Sequence, residues 1–126
     1  MGAVGVKQEP KTRTQRLVDR IVREIDDWIE DSYIDKDEME TIENWHDLLV
    51  HLSMESSEAK EYIKEALDSD VWDAINHHRD ASEAIELQFD EDGEFEDENG
   101  NFLKYKDVMK LVKQELVKKG YMQKAY

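Results

Sequence analysis

Cysteine is absent from the 126-residue sequence, and no apolar run approaches the roughly 18 residues that a membrane-spanning helix needs. The absence of cysteine excludes disulfides, thiolate metal sites and a thiol nucleophile. The sequence also has no glycine-rich phosphate loop and no nucleophile elbow. The N-terminus lacks the basic region and the long apolar region of a signal peptide, so we expect a cytoplasmic protein without a membrane partner.

Basic residues are scarce in the middle of the chain. The whole sequence has 17 basic and 32 acidic residues, for a net charge of −15. Residues 24–103 hold 28 of the acidic residues and only four basic ones, so this acidic body carries −24. Residues 1–23 carry +4 and residues 104–126 carry +5. Because DNA repels a chain this acidic, we expect no direct binding of nucleic acid.

Apolar residues recur at three- and four-residue steps along most of the chain, which is the period of amphipathic helices. Thr12, Asp35, Ser56 or Ser57, and Asp70 are candidate N-caps for four of these helices. Gly120 is the expected stop of the last helix. The predicted helices cover residues 13–30, 37–53, 58–67, 71–79 and a lysine-rich closing helix within 104–120.

The period changes near residue 85. Residues 85–89 alternate apolar and polar side chains, as a half-buried strand does, and two tight-turn dipeptides follow, Asp92-Gly93 and Asn99-Gly100. Phe95, and Phe102 with Leu103, are candidates to pair with that strand. We therefore expect a mainly α fold with a minor α+β character: four to five amphipathic helices, and a short β-hairpin or strand before the long C-terminal helix.

The sequence predicts two parts of the chain, an arm and a domain. Residues 1–11 have no period and are expected to form a flexible basic N-terminal arm. Residues 12–126 are expected to form a single acidic helical domain. The three tryptophans, Trp28, Trp45 and Trp72, lie on the predicted apolar stripes, so the simplest interpretation places them in the core, and the alternative makes them interface anchors.

The sequence contains no recognisable metal-binding or catalytic motif. Neither Gly93 nor Gly100 can occupy position 6 of an EF-hand loop, because Gln88 or Phe95 would then stand at position 1. The four histidines lack the i, i+4 spacing of a zinc pair on a helix. No carboxylate can be singled out as a general acid or base from the sequence. We expect no enzyme activity, no metal and no cofactor.

The carboxylates instead form rows along the predicted helices. Neighbours three and four residues apart on a helix lie about 5–6 Å from each other. A net charge of −24 equals the phosphate charge of about a dozen base pairs, at one charge per 1.7 Å of duplex. Such rows could therefore imitate the electrostatic outline of DNA. Besides Asp70 with Asp73, the candidate phosphate mimics are Asp26, Asp27, Glu30, Asp31, Glu40, Glu43, Asp47, Glu58, Glu61 and Glu65.

Four segments of the sequence resemble the Ocr-type antirestriction proteins of lytic phages. They are ENWHDLL at 43–49, EYI at 61–63, IELQFD at 85–90 and KDVMKL at 106–111, and the similarity extends over about residues 17–117. The resemblance implies a phage-encoded DNA mimic, acting in the host cytoplasm, that forms a homodimer shaped like a bent duplex. It also implies binding to the DNA site of restriction–modification enzymes, Type I systems above all. This chain departs from the family in its basic N-terminal arm and lysine-rich C-terminal end.

Two other hypotheses remain open from the sequence. The chain could be an acidic helical adaptor or decoy that binds a basic protein, such as RNA polymerase or a nucleoid protein, without copying DNA. It could also be an enzyme or a cation-binding module, in which case divalent metal would raise its melting temperature with one stoichiometric site.

Overall fold

The computed structural model describes residues 11–125, so the predicted N-terminal arm lies outside the described residues except for Lys11. Six helices and one antiparallel hairpin follow one another in this part of the chain, and the hairpin directly precedes the last helix. The predicted fold class is confirmed: mainly helical, with a minor β element. Among the described residues, no helix is both long and apolar enough to cross a membrane. The elements are α1 (Arg13–Asp31), α2 (Lys36–Met39), α3 (Trp45–His51), α4 (Ser56–Asn76), α5 (Ala81–Glu86), β1 (Glu94–Glu96), β2 (Phe102–Lys104) and α6 (Tyr105–Lys118).

Helix α1 contributes more buried side chains than any other element. It begins where predicted, because the hydroxyl of Thr12 accepts a hydrogen bond from the backbone N–H of Gln15 at 3.1 Å. Its apolar face packs mainly against α6 and also contacts α4. Burying this face is what holds the acidic body together, since apolar burial is the main favourable term in folding. The core consists of Leu17, Val18, Ile21, Val22, Ile25, Ile29, Ile42, Leu48, Ile63, Leu67, Phe95, Val108, Met109, Val112, Leu116 and Met122.

The single helix predicted over 37–53 is wrong, because α2 and α3 are two short helices separated by residues 40–44. Asn44 starts α3 by accepting the backbone N–H of Asp47 at 3.0 Å. The interruption allows Ile42 to be fully buried and allows its carbonyl to accept the backbone N–H of Gln123 at 3.2 Å. The C-terminal segment therefore completes hydrogen bonds that a continuous helix would have made within itself.

The break predicted between residues 67 and 71 is also wrong, because α4 is one continuous helix of 21 residues. Asp70 is not an N-cap; its carboxylate receives two hydrogen bonds from the guanidinium of Arg20, at 2.5 and 3.1 Å. The helix does not use Ser56 or Ser57 as its cap either. Glu55 occupies that position, and its backbone N–H donates to the carboxylate of Glu58 at 3.3 Å.

Residues 85–89 do not form the predicted strand. Residues 85 and 86 belong to α5, whose N-cap Asp80 accepts the backbone N–H of Ser82 at 3.1 Å. The hairpin forms between the two following segments, with Phe95 opposite Leu103. Both predicted turns are present, and Gly93 and Gly100 have φ of +79° and +82°, values that favour glycine. A run of five residues is too short for its alternation to decide between a strand and a helical turn, which explains the error.

The prediction that all three tryptophans lie in the core is wrong for one of them. Trp28 and Trp45 pack against the core, but Trp72 is 68% exposed. Ile75, one turn further along, is 58% exposed, and Tyr62 is 44% exposed. Because α4 continues without a break, its buried face fixes residues 72 and 75 on the outside of the helix. That buried face consists of Ala59, Ile63, Leu67 and Ala74.

Helix α6 ends as predicted. Gly120 has φ of +83°, and the next residue, Tyr121, donates its backbone N–H to the carbonyl of Leu116 at 3.0 Å. This is the hydrogen-bond pattern of a glycine-terminated helix. The reversal directs the C-terminal segment toward the end of α1 and the α2–α3 connection, where Met122 enters the core.

Candidate functional site

All ten carboxylates predicted to mimic phosphates lie at the protein surface. Eight of them are exposed, and Asp26 and Asp47 are half-buried. They fall into three groups that differ in how far other side chains neutralise them: one at the end of α1, one around the α2–α3 connection and one along α4. The differences decide which carboxylates are available to a partner.

The first group lies at the C-terminal end of α1, where Asp26, Asp27, Glu30 and Asp31 occur within six residues. This last turn has no basic residue, and the first turn has no acidic one. The carbonyl end of a helix carries a partial negative charge, so acids there destabilise the isolated helix. The chain tolerates this cost at one end of α1, which favours a role for these acids other than stability.

Within residues 11–125, Asp26 is the one member of this group that has a compensating partner. Its carboxylate accepts a hydrogen bond from the ammonium of Lys119 at 2.9 Å and another from the hydroxyl of Tyr121. Burial, and then the hydrogen bond to Asp26, raise the pKa of Tyr121 to about 12. The lysine-rich end of α6 therefore lies against the acidic end of α1, and Asp26 is poorly suited to bind an external cation.

The second group surrounds the α2–α3 connection. The side chains of Glu40 and Glu43 are exposed, while their backbone carbonyls bind the C-terminal segment. The amide of Gln123 donates to the Glu40 carbonyl at 2.7 Å, and the backbone N–H of Lys124 donates to the Glu43 carbonyl at 2.7 Å. Asp47 has a local structural role, because its carboxylate accepts the backbone N–H of Glu43 at 3.2 Å.

The third group lies along α4. Glu58, Glu61 and Glu65 are exposed and follow one another at steps of three and four residues, which places them on one face of the helix. Asp68 extends the same face by another step and is also exposed. We call these four residues the α4 row. None of the four forms an ion pair with any residue between 11 and 125, whereas Lys60 on another face of α4 lies 5.1 Å from the ring centre of Tyr105.

Asp68 was missed from the sequence because α4 was predicted to stop at residue 67. Its spacing from Glu65 would have placed it in the α4 row if the helix had been recognised as continuous. In the structure Asp68 accepts a hydrogen bond from the amide of Gln88 at 2.7 Å. This neutral donor fixes the side chain of Asp68 without removing its charge.

The row predicted from Asp70 and Asp73 is not available to a partner. Asp70 pairs with Arg20, and the hydrogen bond between them is the main reason that the pKa of Arg20 lies above its usual value. Asp73 pairs with Arg79 and with His77. Both acids border a cleft of about 550 Å³ between the first half of α1, the end of α4 and α5. This cleft contains equal numbers of acidic and basic side chains, so it is not part of the acidic surface.

Clusters that could hold a metal ion do not occur between residues 11 and 125: no group of three or more histidine, aspartate or glutamate side chains has a suitable arrangement. Comparison of the chain with protein-family models, with curated proteins and with solved structures found no match. The α4 row and the uncompensated acids at the end of α1 therefore form the candidate functional surface.

Proposed function

We propose that this protein is a DNA mimic that inhibits a DNA-binding enzyme by occupying its DNA site. The observation that carries the proposal is the α4 row, four carboxylates on one continuous helix without an ion pair among the described residues. The end of α1 adds three more exposed negative charges, those of Asp27, Glu30 and Asp31. In this proposal Glu40 and Glu43 contribute from the α2–α3 connection, and Asp26 and Asp47 contribute least.

The spacing of carboxylates along the α4 row is comparable with that of phosphates along one strand of DNA. The ten residue steps from Glu58 to Asp68 rise about 15 Å along the helix axis, at 1.5 Å per residue. One DNA strand carries four to five phosphates over about the same rise, at 3.4 Å per phosphate. A groove lined with lysine and arginine would therefore meet a similar number of negative charges on either surface.

A helical scaffold also reduces the entropic cost of binding. The α4 row is anchored from behind by Ile63 and Leu67, both of which lie in the core. Charges that are already ordered before association lose less conformational freedom when they bind. Fixed anions also steer a basic partner over distances comparable with the Debye length, about 10 Å at 0.1 M salt.

The resemblance to Ocr-type proteins selects the target class within this proposal. The resembling segments include Glu43, Asp47 and Glu61, which are three of the candidate phosphate mimics. We therefore propose Type I restriction–modification enzymes as the first targets to test. The inhibitor would act in the cytoplasm of an infected bacterium, without a cofactor and without catalysis.

Displacement of DNA tests the proposal. A labelled duplex is bound to a Type I restriction enzyme, and the protein is added at several salt concentrations between about 50 and 200 mM. We expect the protein to release the duplex at low salt and to do so less effectively as salt increases. Failure to release DNA from a panel of Type I and other DNA-binding enzymes at low salt would overturn the proposal.

We propose that a homodimer forms through the exposed apolar residues of α4, Trp72 and Ile75. Sedimentation should show a dimer that Trp72→Gln converts to a monomer, while Tyr33→Gln, at a side chain that is 90% exposed, leaves the dimer intact. A monomeric wild-type protein would contradict this.

A further inference from the structure

A separate small groove lies beside the uncompensated end of α1. It has a volume of about 310 Å³ and lies between the end of α1, the α3–α4 connection and the first half of α4. Two aromatic rings form part of its lining, those of Trp28 and Tyr62, with their centres 6.2 Å apart and their planes at 66°. The lining residues are Trp28, Asp31, Ser32, Leu52, Met54 and Tyr62.

The electrostatics of this groove favour a cation. Asp31 is exposed and forms no ion pair with any residue from 11 to 125. Helix α1 also ends beside the groove, and the C-terminal end of a helix carries a partial negative charge. The faces of tryptophan and tyrosine rings also attract cations, tryptophan most strongly. Three sources of negative potential therefore converge on one partly apolar groove.

The aromatic and apolar lining of the groove favours a guanidinium over other cations. A guanidinium is planar, so it can stack on an aromatic ring while its N–H groups donate to a carboxylate. It is also less strongly hydrated than an ammonium, so it enters a groove lined by Leu52 and Met54 at lower cost. A lysine ammonium would satisfy Asp31 but would lose more hydration in the same place. An uncharged apolar group would leave Asp31 without a partner.

From this combination we infer that the groove binds an arginine side chain from the DNA-binding surface of the target enzyme. This inference rests on the proposed function for the source of the arginine. DNA has no equivalent of an aromatic pair beside a carboxylate, so the groove adds a short-range contact that a phosphate backbone cannot make. The α4 row then supplies attraction over longer distances, and the groove holds one arginine in place.

Binding of a small arginine probe tests the groove without the target enzyme. The wild-type protein, with ¹⁵N-labelled tryptophan side chains, is titrated with N-acetyl-arginine amide and separately with N-acetyl-lysine amide. We expect saturable shifts of the Trp28 indole signal with arginine, little response at the exposed Trp72, and weaker binding of lysine. No saturable shift at Trp28, or equal binding of the two probes, would overturn the inference.

Two matched variants distinguish arginine binding in the groove from attraction by the overall negative charge of the protein. Asp31→Asn should weaken arginine binding about five-fold, because it removes the charge-assisted contact and leaves the aromatic rings in place. Asp27→Asn removes the same charge from the same end of α1, but Asp27 does not line the groove, so it should weaken arginine binding much less than Asp31→Asn. Equal effects of the two variants would show that arginine responds only to net charge, and the inference would fail.

The two proposals can fail separately. If the arginine probe binds at Trp28 but the protein displaces no DNA, the groove stands and DNA mimicry is wrong. If DNA is displaced but the probe does not bind, mimicry stands and the groove is wrong. In the displacement assay, Asp31→Asn should lose more affinity for the enzyme than Asp27→Asn, by about the same five-fold factor.

Discussion

Removing charge from the α4 row should weaken target binding more than removing the same charge elsewhere. The variant Glu61→Gln, Glu65→Gln, Asp68→Asn changes the net charge by +3 and keeps side chains of nearly the same size. All three residues are exposed and none contributes to the core, so we expect the fold to be unchanged. Glu58 is left in place because it accepts the backbone N–H of Glu55 at the start of α4.

The size of the effect follows from the exposure of the three carboxylates. An exposed charge pair contributes about 0.2–1 kcal/mol, so three of them contribute about 0.6–3 kcal/mol. At 1.4 kcal/mol for each ten-fold change, the dissociation constant should rise between about three-fold and about 150-fold. The loss should be larger at low salt, because exposed charges are screened as the ionic strength rises.

A control variant carries the same change in charge at acids of α4 and α5 that are paired with arginines. Asp73→Asn, Glu83→Gln and Glu86→Gln remove acids that already pair with Arg79, Arg16 and Arg13. Dissociation constants for a Type I restriction enzyme are measured for both triple variants, with circular dichroism to verify folding. Equal losses in the two variants would mean that net charge alone governs binding, and the argument from a fixed row of anions would be refuted.

Three further predictions concern stability and titration. Phe95→Ala should lower the free energy of unfolding by about 3–5 kcal/mol in urea, because Phe95 is fully buried, while Phe102→Ala, at a side chain 60% exposed, should change it by less than about 0.5 kcal/mol. Gly120→Ala should cost about 1–2 kcal/mol in the same assay, because its φ of +83° strains any residue with a Cβ. Tyr121 should keep its proton to a pKa of about 12, against 10.0 in the unfolded chain, so stability should fall as pH rises through that interval. Near-ultraviolet phenolate titration of Tyr121→Phe should lack one step near pH 12, and loss of a step near pH 10 instead would contradict the contact with Asp26.

The sequence was sufficient to predict the elements whose signals are local and repeated. Helix α1 has seven apolar positions in register and a hydroxyl cap at Thr12, and α6 has a similar stripe ended by Gly120. In both cases the residue pattern, the cap and the buried face favour the same structure. Agreement among independent local signals of this kind is what makes a prediction secure.

The errors arose where a residue acts through a distant partner. Asp70 has the chemistry of an N-cap, and the sequence cannot show that its carboxylate is instead held by Arg20, fifty positions earlier. Asp26 likewise belongs to a predicted row of anions, but Lys119 and Tyr121, at the other end of the chain, compensate it. Which carboxylates remain uncompensated is a property of the tertiary structure. The sequence could therefore predict the set of candidate acids, but not which of them remain available to a partner.

Mutually exclusive binding is the most direct test of the claim that this protein takes the place of DNA. The apparent dissociation constant of a Type I restriction enzyme for a short duplex is measured at increasing concentrations of the protein. The account predicts that this constant rises in proportion to the protein concentration without reaching a plateau, because one site cannot hold both ligands. A plateau, or a complex containing enzyme, duplex and protein together, would contradict it and would favour an acidic adaptor that binds elsewhere.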